Sequence, residues 1–295
     1  MIKVIQINLN HCWTAQQLLS QTVRDRNIDV LLISDYLRGF DGDPRWINSA
    51  DHKCGVLVTS RRALPITDIG AGPGFAWARI GSTYYFSCYW TPNCTLLEFD
   101  NFLNGVEGAI RDSVDNDDNL IVAGDFNSHS AEWGSARDGP RGTMLSGLAA
   151  SLGLLPCNVG SVPTYSRVNA ESVIDVTFAR FQPNASPPVA NWSVLTELDS
   201  ASDHFYVEFT VANSSAIPTS APVVRTAAAK AWAIKKLFPE ALEEHWRRAR
   251  EASLPLPPST SAEDHVAHLQ QFLVDSCDAA MPRRTSFQGK RAVHW

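Results

Sequence analysis

The sequence predicts an α/β fold: two mixed β-sheets packed face to face and flanked by helices, a four-layer sandwich, followed by a linker and a helical tail. Three observations carry this. Strand-like and helix-like segments mix through the first 212 residues, so both kinds of element share one core. Residues 30–33 and 120–123 are apolar at every position, as strands buried on both faces are. After Val211 the strand signals stop and only helical periodicity continues. At 295 residues the chain is long enough for one large domain or two small ones.

Taken in order, residues 2–9 read as the first strand. Thr14 is placed to cap a helix that puts Ala15, Leu18, Leu19, Thr22 and Val23 on one face. Residues 30–33 and 55–59 are short apolar strands, with a loop over 39–43 between them. A second loop is expected over 70–74. Residues 75–80 and 83–89 flank Gly81-Ser82, which reads as a hairpin turn. Phe99, Phe102, Leu103, Val106 and Ile110 mark a second amphipathic helix, and Met144, Leu145, Leu148 and Leu152 a third. Between these two helices, residues 120–123 form a strand that runs into Gly124-Asp125. Residues 173–178 and 205–211 are late strands. Residues 213–224, rich in Ala, Ser and Pro, read as a linker. Residues 225–295 are helical: Trp232, Leu237, Leu242 and Trp246 suggest one or two short helices. A last helix over 261–280 aligns Ala262, Val266, Leu269, Leu273 and Ser276 behind a Ser261 cap. The expected domains are therefore 1–212, a linker over 213–224, and 225–295.

The net charge of −6 conceals an asymmetry. Residues 1–212 hold 14 Lys and Arg against 23 Asp and Glu, and residues 213–295 hold 11 against 8. An acidic body does not hold nucleic acid by bulk charge; it needs a local surface, or metal ions that offset its carboxylates. No run of 18 apolar residues occurs, so no membrane-spanning helix and no membrane partner are expected. The first eight residues read as a strand rather than a targeting segment. The six cysteines show no C-x-x-C spacing, so neither a zinc ribbon nor a disulfide framework is expected.

Three segments place polar groups at the end of an apolar strand, where a rigid backbone exposes working side chains. In Gly124-Asp125-Phe126-Asn127 a carboxylate and a carboxamide two residues apart can hold a water, one taking its proton and the other orienting it; an Asx-turn ending the strand is the alternative. In Ser202-Asp203-His204 the pair can bind a metal or polarise a phosphate, or lie on the surface without a role. In Ser172-Val173-Ile174-Asp175-Val176-Thr177-Phe178 an Asp interrupts an apolar run. A buried carboxylate needs a partner, which His204 can be, although backbone donors would also serve. Trp77, Trp133 and Trp192 are expected to pack, while Trp90, on an expected turn, is a candidate DNA contact.

These segments, with Gln6-Ile7-Asn8-Leu9 and Tyr89-Trp90-Thr91-Pro92-Asn93, stand in the order of the exonuclease–endonuclease–phosphatase superfamily, which residues 1–212 resemble. The string His129-Ser130-Ala131-Glu132-Trp133-Gly134, followed by Arg141-Gly142 and Pro163-Thr164-Tyr165, narrows the resemblance. It is similar to the apurinic-endonuclease-like domain of the reverse-transcriptase polyproteins of non-LTR (LINE-type) retrotransposons. The tail resembles the segment between endonuclease and reverse transcriptase. No polymerase-like Asp-Asp signature follows, so the reverse-transcriptase domain is an expected partner absent from this chain, which would be a fragment or truncated copy.

The resemblance implies a metal-dependent endonuclease that nicks duplex DNA in the nucleus, leaving a 3′-hydroxyl that primes reverse transcription. It implies Asp125 as the group activating water with Asn127 beside it, His204 backed by Asp175 as the phosphate stabiliser, and Tyr89 as a phosphate contact. Asn8 and Asp35 would lie at the metal site, with Asp203 completing the acidic cluster. Mg²⁺ is the expected ion and Mn²⁺ its substitute, since hard divalent ions take oxygen ligands. One position departs from the family: Ser34-Asp35-Tyr36 has Asp where Glu is usual, an arm shorter by about 1.5 Å. Two alternatives follow: a catalytically impaired domain that only positions a polyprotein on DNA, and another phosphodiesterase of the same superfamily.

Overall fold

The computed structural model describes residues 1–37, 42–59, 65–115, 118–180, 189–212, 236–252 and 262–282. The chain divides into two compact units, Met1–Ile217 and Pro218–Trp295. The first opens with β1 (Ile2–Asn8), α1 (Trp13–Arg26), β2 (Val30–Ser34), β3 (Trp46–Asn48) and β4 (Cys54–Val58). Then come β5 (Ile66–Gly72), β6 (Phe75–Ile80), β7 (Thr83–Tyr89), α2 (Leu96–Ser113) and β8 (Asn119–Asp125). A 3₁₀ turn (Ala131–Trp133), α3 (Pro140–Ser151) and β9 (Leu154–Pro156) follow. The hairpin β10 (Tyr165–Arg167) and β11 (Ala170–Ser172) precedes β12 (Asp175–Arg180), β13 (Val189–Val194) and β14 (Val207–Val211).

These strands build two six-stranded mixed sheets, in the orders β13-β14-β1-β2-β4-β3 and β5-β6-β7-β8-β12-β9. Each sheet has one parallel pair at its centre, β1 with β2 and β7 with β8; every other pairing is antiparallel. Val4, Leu32, Val56, Ala78, Tyr85, Ile121 and Phe209 fill the space between the sheets. Behind the first sheet, Ala15 and Leu19 of α1 cover Ile5, Ile7, Leu31 and Ile33. Behind the second, Phe99, Phe102, Val106 and Ile110 of α2 and Leu145 and Ala149 of α3 cover Phe86, Leu120 and Val122. Helix α2 starts at a capping box in which Thr95 and Glu98 each accept from the other's backbone N–H. The result is the expected four layers.

At one end the interlayer contacts turn polar. Gln6 Nε2 donates to Gly124 O at 3.1 Å, and Thr177 Oγ1 donates to Gln6 Oε1 at 2.9 Å. Ser34 Oγ reaches Cys88 O and Ser87 Oγ reaches Ile33 O, both at 3.2 Å. Buried polar groups need such partners, and here they also fix the two sheets' relative register.

Several local expectations are corrected. Helix α1 begins at Trp13 behind Cys12, which makes no side-chain cap, so Thr14 lies inside the first turn. Residues 70–72 belong to β5, paired with β6, rather than to a loop. Strand β12 starts at Asp175, so this Asp opens the strand instead of interrupting it. Residues 213–224 lie outside the described residues, as do 38–41 of the loop expected between the early strands.

The second unit shows α4 (Pro239–Ala252) and α5 (Ala262–Ala280). Trp246 Nε1 donates to Ser276 Oγ at 3.1 Å, and Phe238 N donates to Ala280 O at 2.9 Å. Of the face expected to align on α5, Ser276 makes a contact with α4, whereas Leu269 and Leu273 are about half exposed and Phe272 packs near Trp246. Among the described residues no helix is long and apolar enough to cross a membrane.

Candidate active site

The strand pairings bring distant residues to one edge of the sandwich. Asn8 ends β1 opposite Ser34, so Asp35 follows immediately beside it. Tyr89 ends β7 opposite Asp125, the last residue of β8, and Asp125 lies opposite Asp175. The segment before β14 runs beside the end of β1, where Ser202 Oγ donates to Asn8 O at 2.8 Å. A cleft of about 320 Å³ opens here, lined by Asn8, Asp125, Asn127, Asp203 and His204 together with Asn10, Pro92, His129, Tyr165, Arg167, Ser172 and Ile174.

Backbone form dictates how Asp125 is aimed. Gly124 has φ +154°, and a Cβ there would lie 1.8 Å from Cys88 O on β7. Only glycine lets the parallel neighbours approach this closely just before the carboxylate. Asn127, at φ +47°, folds back over it: its N–H donates to Asp125 Oδ1 at 2.9 Å and its Nδ2 to Asp125 Oδ2 at 3.0 Å. Asn127 Nδ2 also reaches Trp90 O at 3.1 Å. Asn8 Nδ2 donates to Asp125 Oδ2 at 2.8 Å. Three N–H groups therefore hold a buried carboxylate in one orientation. The backbone bond from Asn127 to Asp125 Oδ1 is the Asx-turn that the sequence offered as the alternative, and it also brings the carboxamide onto the carboxylate.

Across the cleft, His204 Nδ1 lies 2.7 Å from Asp175 Oδ2. Its Nε2 stands 4.0 Å from Asp125 Oδ2 and 3.9 Å from Asp203 Oδ1, too far to be hydrogen-bonded to either. Thr164 Oγ1 accepts from the Asp175 N–H, and an isolated bridge ties Tyr165 to His204, whose rings meet edge to face at 5.0 Å. Burial opposes charge on His204, but the adjacent Asp175, with Asp125 and Asp203, outweighs it and lifts the imidazolium to about 9. Burial, reinforced by the charge on Asp175, pushes the Asp125 carboxyl up to about 7.

Asn8, Asp125, Asn127, Asp175, Asp203 and His204 thus converge, as the sequence suggested. Asp35 and Tyr89 sit at the same edge but outside the residues lining the cleft. Asp35, at φ +47°, is paired through Oδ1 with His11 Nδ1 at 2.8 Å. Tyr89 is nearly buried; burial, then the charges of Asp35 and Asp125, raises its phenol. Trp90 stacks on Phe102 at 4.7 Å and donates to Cys94 Sγ, so its ring serves packing. Trp77 and Trp133 are buried, as expected.

Sequence reasoning gave no role to His11, Asn10, His129 or Arg167. Arg167 Nε lies 2.6 Å from Asp203 Oδ2. His129 lines the cleft, and burial, with Arg137 nearby, lowers its imidazolium. Polar strand ends advertise themselves in a sequence; residues carried over a site by a hairpin or a neighbouring turn do not.

Among the described residues, Asp125, Asp175 and His204 form a group of three whose ligand atoms lie within 4.8 Å of one another, and this group could hold a divalent ion. Two of these atoms are already committed, Asp175 Oδ2 to His204 Nδ1. The Asp35 carboxylate spends one oxygen on His11 and, with the carboxamide oxygen of Asn8, offers the hard donors a Mg²⁺-like ion takes. A cation at this edge would also offset the carboxylate charge that bears on Tyr89.

Comparison with known proteins matches this architecture. Residues 83–208 match the family model described as endonuclease-reverse transcriptase, a span reaching from β7 through His204 into β14. The endonuclease domain of TRAS1, a telomere-specific non-LTR retrotransposon, is similar over 72% of this chain and 98% of that one, with a TM-score of 0.58 and 24% identity. An AP endonuclease from Archaeoglobus fulgidus covers 72% of this chain and 99% of its own, at TM-score 0.56 and 12% identity. A 3′ phosphatase from Neisseria, bound to a product DNA hairpin, covers 72% and 100%, at 0.58 and 16%. No curated protein sequence matches. The likeness to these structures is one of fold.

Proposed function

We propose that this chain, carrying the exonuclease–endonuclease–phosphatase fold, is a divalent-metal-dependent DNA endonuclease. It hydrolyses one phosphodiester of duplex DNA and leaves a 3′-hydroxyl that primes reverse transcription by another domain of the same polyprotein. Residues 1–212 are the endonuclease and residues 225–295 the segment leading towards the reverse transcriptase; its place of work is the nucleus, where its DNA lies. The observation carrying this reading is the pairing across the cleft: an Asp125 carboxylate fixed by Asn8 and Asn127 faces the Nε2 of a His204 whose Nδ1 is held by Asp175.

Each residue has a task. Asp125 takes a proton from the attacking water, and Asn127 keeps the accepting oxygen aimed. Asp175 fixes the His204 tautomer and stabilises its positive form, so Nε2 donates to a phosphoryl oxygen as charge builds on it. At about 4 Å from the facing carboxylates Nε2 is hydrogen-bonded to neither, which leaves its N–H for that oxygen. Tyr89 supports the phosphate from the end of β7. Asn8, Asp35 and Asp203 would hold the ion, Mg²⁺ or Mn²⁺, which when bound supplies charge neutralisation for the phosphate and the departing 3′-oxygen.

One observation favours a second reading. Asp35 is short by a methylene and its Oδ1 is engaged by His11, which suits a domain that holds DNA without cutting it. Supercoiled plasmid separates the two. Nicking that requires Mg²⁺ or Mn²⁺, and falls at least about 10²-fold in Asp125→Asn, supports the endonuclease. Plasmid binding without nicking at any concentration of either metal supports the positioning domain, and absence of both removes each reading.

A further inference from the structure

We propose that Arg167 is the phosphate-binding cation of this cleft, parked on Asp203 until DNA displaces it. The inference rests on the endonuclease reading above and adds a substrate-binding residue to it.

Among the described residues lining the cleft, Arg167 is the one Lys or Arg. A phosphodiester entering there meets the carboxylates of Asp125 and Asp203, so it needs a cation within reach. Arg141, the next arginine along that wall, is spent on the carbonyls of Thr91, Pro92 and Cys94 and lies over the Phe99 ring. Arg167 is more accessible. Its side chain is 58% exposed; its closest approach to Asp203 is Nε to Oδ2 at 2.6 Å, and its guanidinium lies 5.9 Å from the centre of the Tyr165 ring. A guanidinium so exposed has N–H groups to spare for the two-pronged grip that a phosphate accepts.

The root of this side chain is rigid. Ser166 N donates to Asp203 O and Phe205 N to Thr164 O, both at 2.8 Å, and the Tyr165–His204 bridge lies between them. The β10–β11 hairpin is therefore stitched to the segment carrying Asp203 and His204. A fixed root with an exposed head is the arrangement in which a guanidinium exchanges partners without moving the backbone. The guanidinium half of the pair stands in solvent, so it can turn to an incoming anion while the more buried Asp203 stays in place. Asp203 Oδ1 already stands 3.9 Å from His204 Nε2 with the pair formed, and the exchange frees Oδ2 as well when substrate arrives.

The test measures binding of a fluorescent duplex by anisotropy in EDTA over a range of salt, and metal-activated nicking in parallel. Arg167→Ala should weaken binding about tenfold or more and flatten the slope of log affinity against log salt by about 0.9. KM for nicking should rise while kcat changes less than about threefold, and Arg167→Lys should recover part of the affinity, as expected for a uniform binding contact. Asp203→Asn, which releases the arginine, should tighten metal-free binding, and this gain should shrink in the Arg167→Ala background. An unchanged slope and KM in Arg167→Ala, with the wild type nicking normally, overturns the proposal and leaves the endonuclease reading standing. An Asp203→Asn gain of equal size in both backgrounds overturns the exchange. A wild type that neither binds nor nicks removes the endonuclease reading and this one with it.

Discussion

Asp125 and His204 have opposite chemical tasks, and their surroundings move both towards the same pH range. Asp125 works as a base only when ionised, which burial delays to about pH 7; His204 donates only when protonated, which Asp175 prolongs to about pH 9. The rate of nicking should therefore trace a bell whose limbs belong to the coupled pair, and a bound cation should move both limbs to lower pH. Stability should run the other way. Between about pH 4 and 7 the native protein keeps the Asp125 proton that the unfolded chain has lost, and from about 6.5 to 9 it keeps the His204 proton. Native binding of extra protons means that metal-free stability from these groups falls as pH rises. A thermal melt in chelator should show the decline, and Asp125→Asn should flatten its part between about pH 4 and 7. Asp35 gives a further expectation. Asp35→Glu restores the missing reach of about 1.5 Å and should lower the Mg²⁺ concentration for half-maximal nicking while leaving the saturated rate nearly constant; an unchanged metal titration would show that this carboxylate does not limit binding. Asp125 and Asp175 were legible because each stands at or beside an end of an apolar strand, and His204 because it precedes an apolar run; Asn8 was legible only through the family resemblance. His11 and Arg167 were not, because their relation to the cleft arises from a left-handed turn and a hairpin that no periodicity marks.

At the scale of elements, legibility follows burial. The central strands β1, β2, β7 and β8 are buried along nearly their whole length and stood out as apolar runs. Strand β5 is largely exposed and ends in Gly-Ala-Gly, and β13 is an exposed edge strand with an irregularity between Ala190 and Ser193, so neither carries an alternating signal. The capping box of α2 and its buried Phe99, Phe102 and Val106 match the periodicity directly, whereas Cys12 ahead of α1 makes no side-chain bond that a sequence could announce. Gly124 tests how strongly an element depends on one position. With Cys88 O only 1.8 Å from where a Cβ would stand, Gly124→Ala must push β7 and β8 apart. A loss of about 3 kcal/mol or more is expected, readable as a lower urea midpoint with an unchanged m-value. A midpoint within error of wild type would show that the pair yields without cost.

At the scale of the molecule, an acidic body and the proposed DNA-cutting role are compatible if substrate contacts stay local to one polar edge, while the outer faces are helical and the interior apolar. That edge is assembled from residues as far apart as Asn8 and His204. The sheet that carries Asn8 is also closed by the last strand of the unit: β14 pairs with β1 from Gln6–Val207 to Ile2–Val211. The order of synthesis therefore matters. A ribosome delivers β1 first and its permanent neighbour some 200 residues later, a delay of roughly 10–40 s at ordinary elongation rates. Throughout that interval an apolar strand presents an open edge, the hazard that edge-to-edge association exploits. Chains stopped at residue 206 should accumulate as aggregates, and chains stopped at residue 217 should be soluble, as sedimentation of newly made protein would reveal. If the proposed activity holds, the nascent polypeptide is harmless to DNA until its final strand docks, because cutting competence would arrive in a single late step and not gradually along the message.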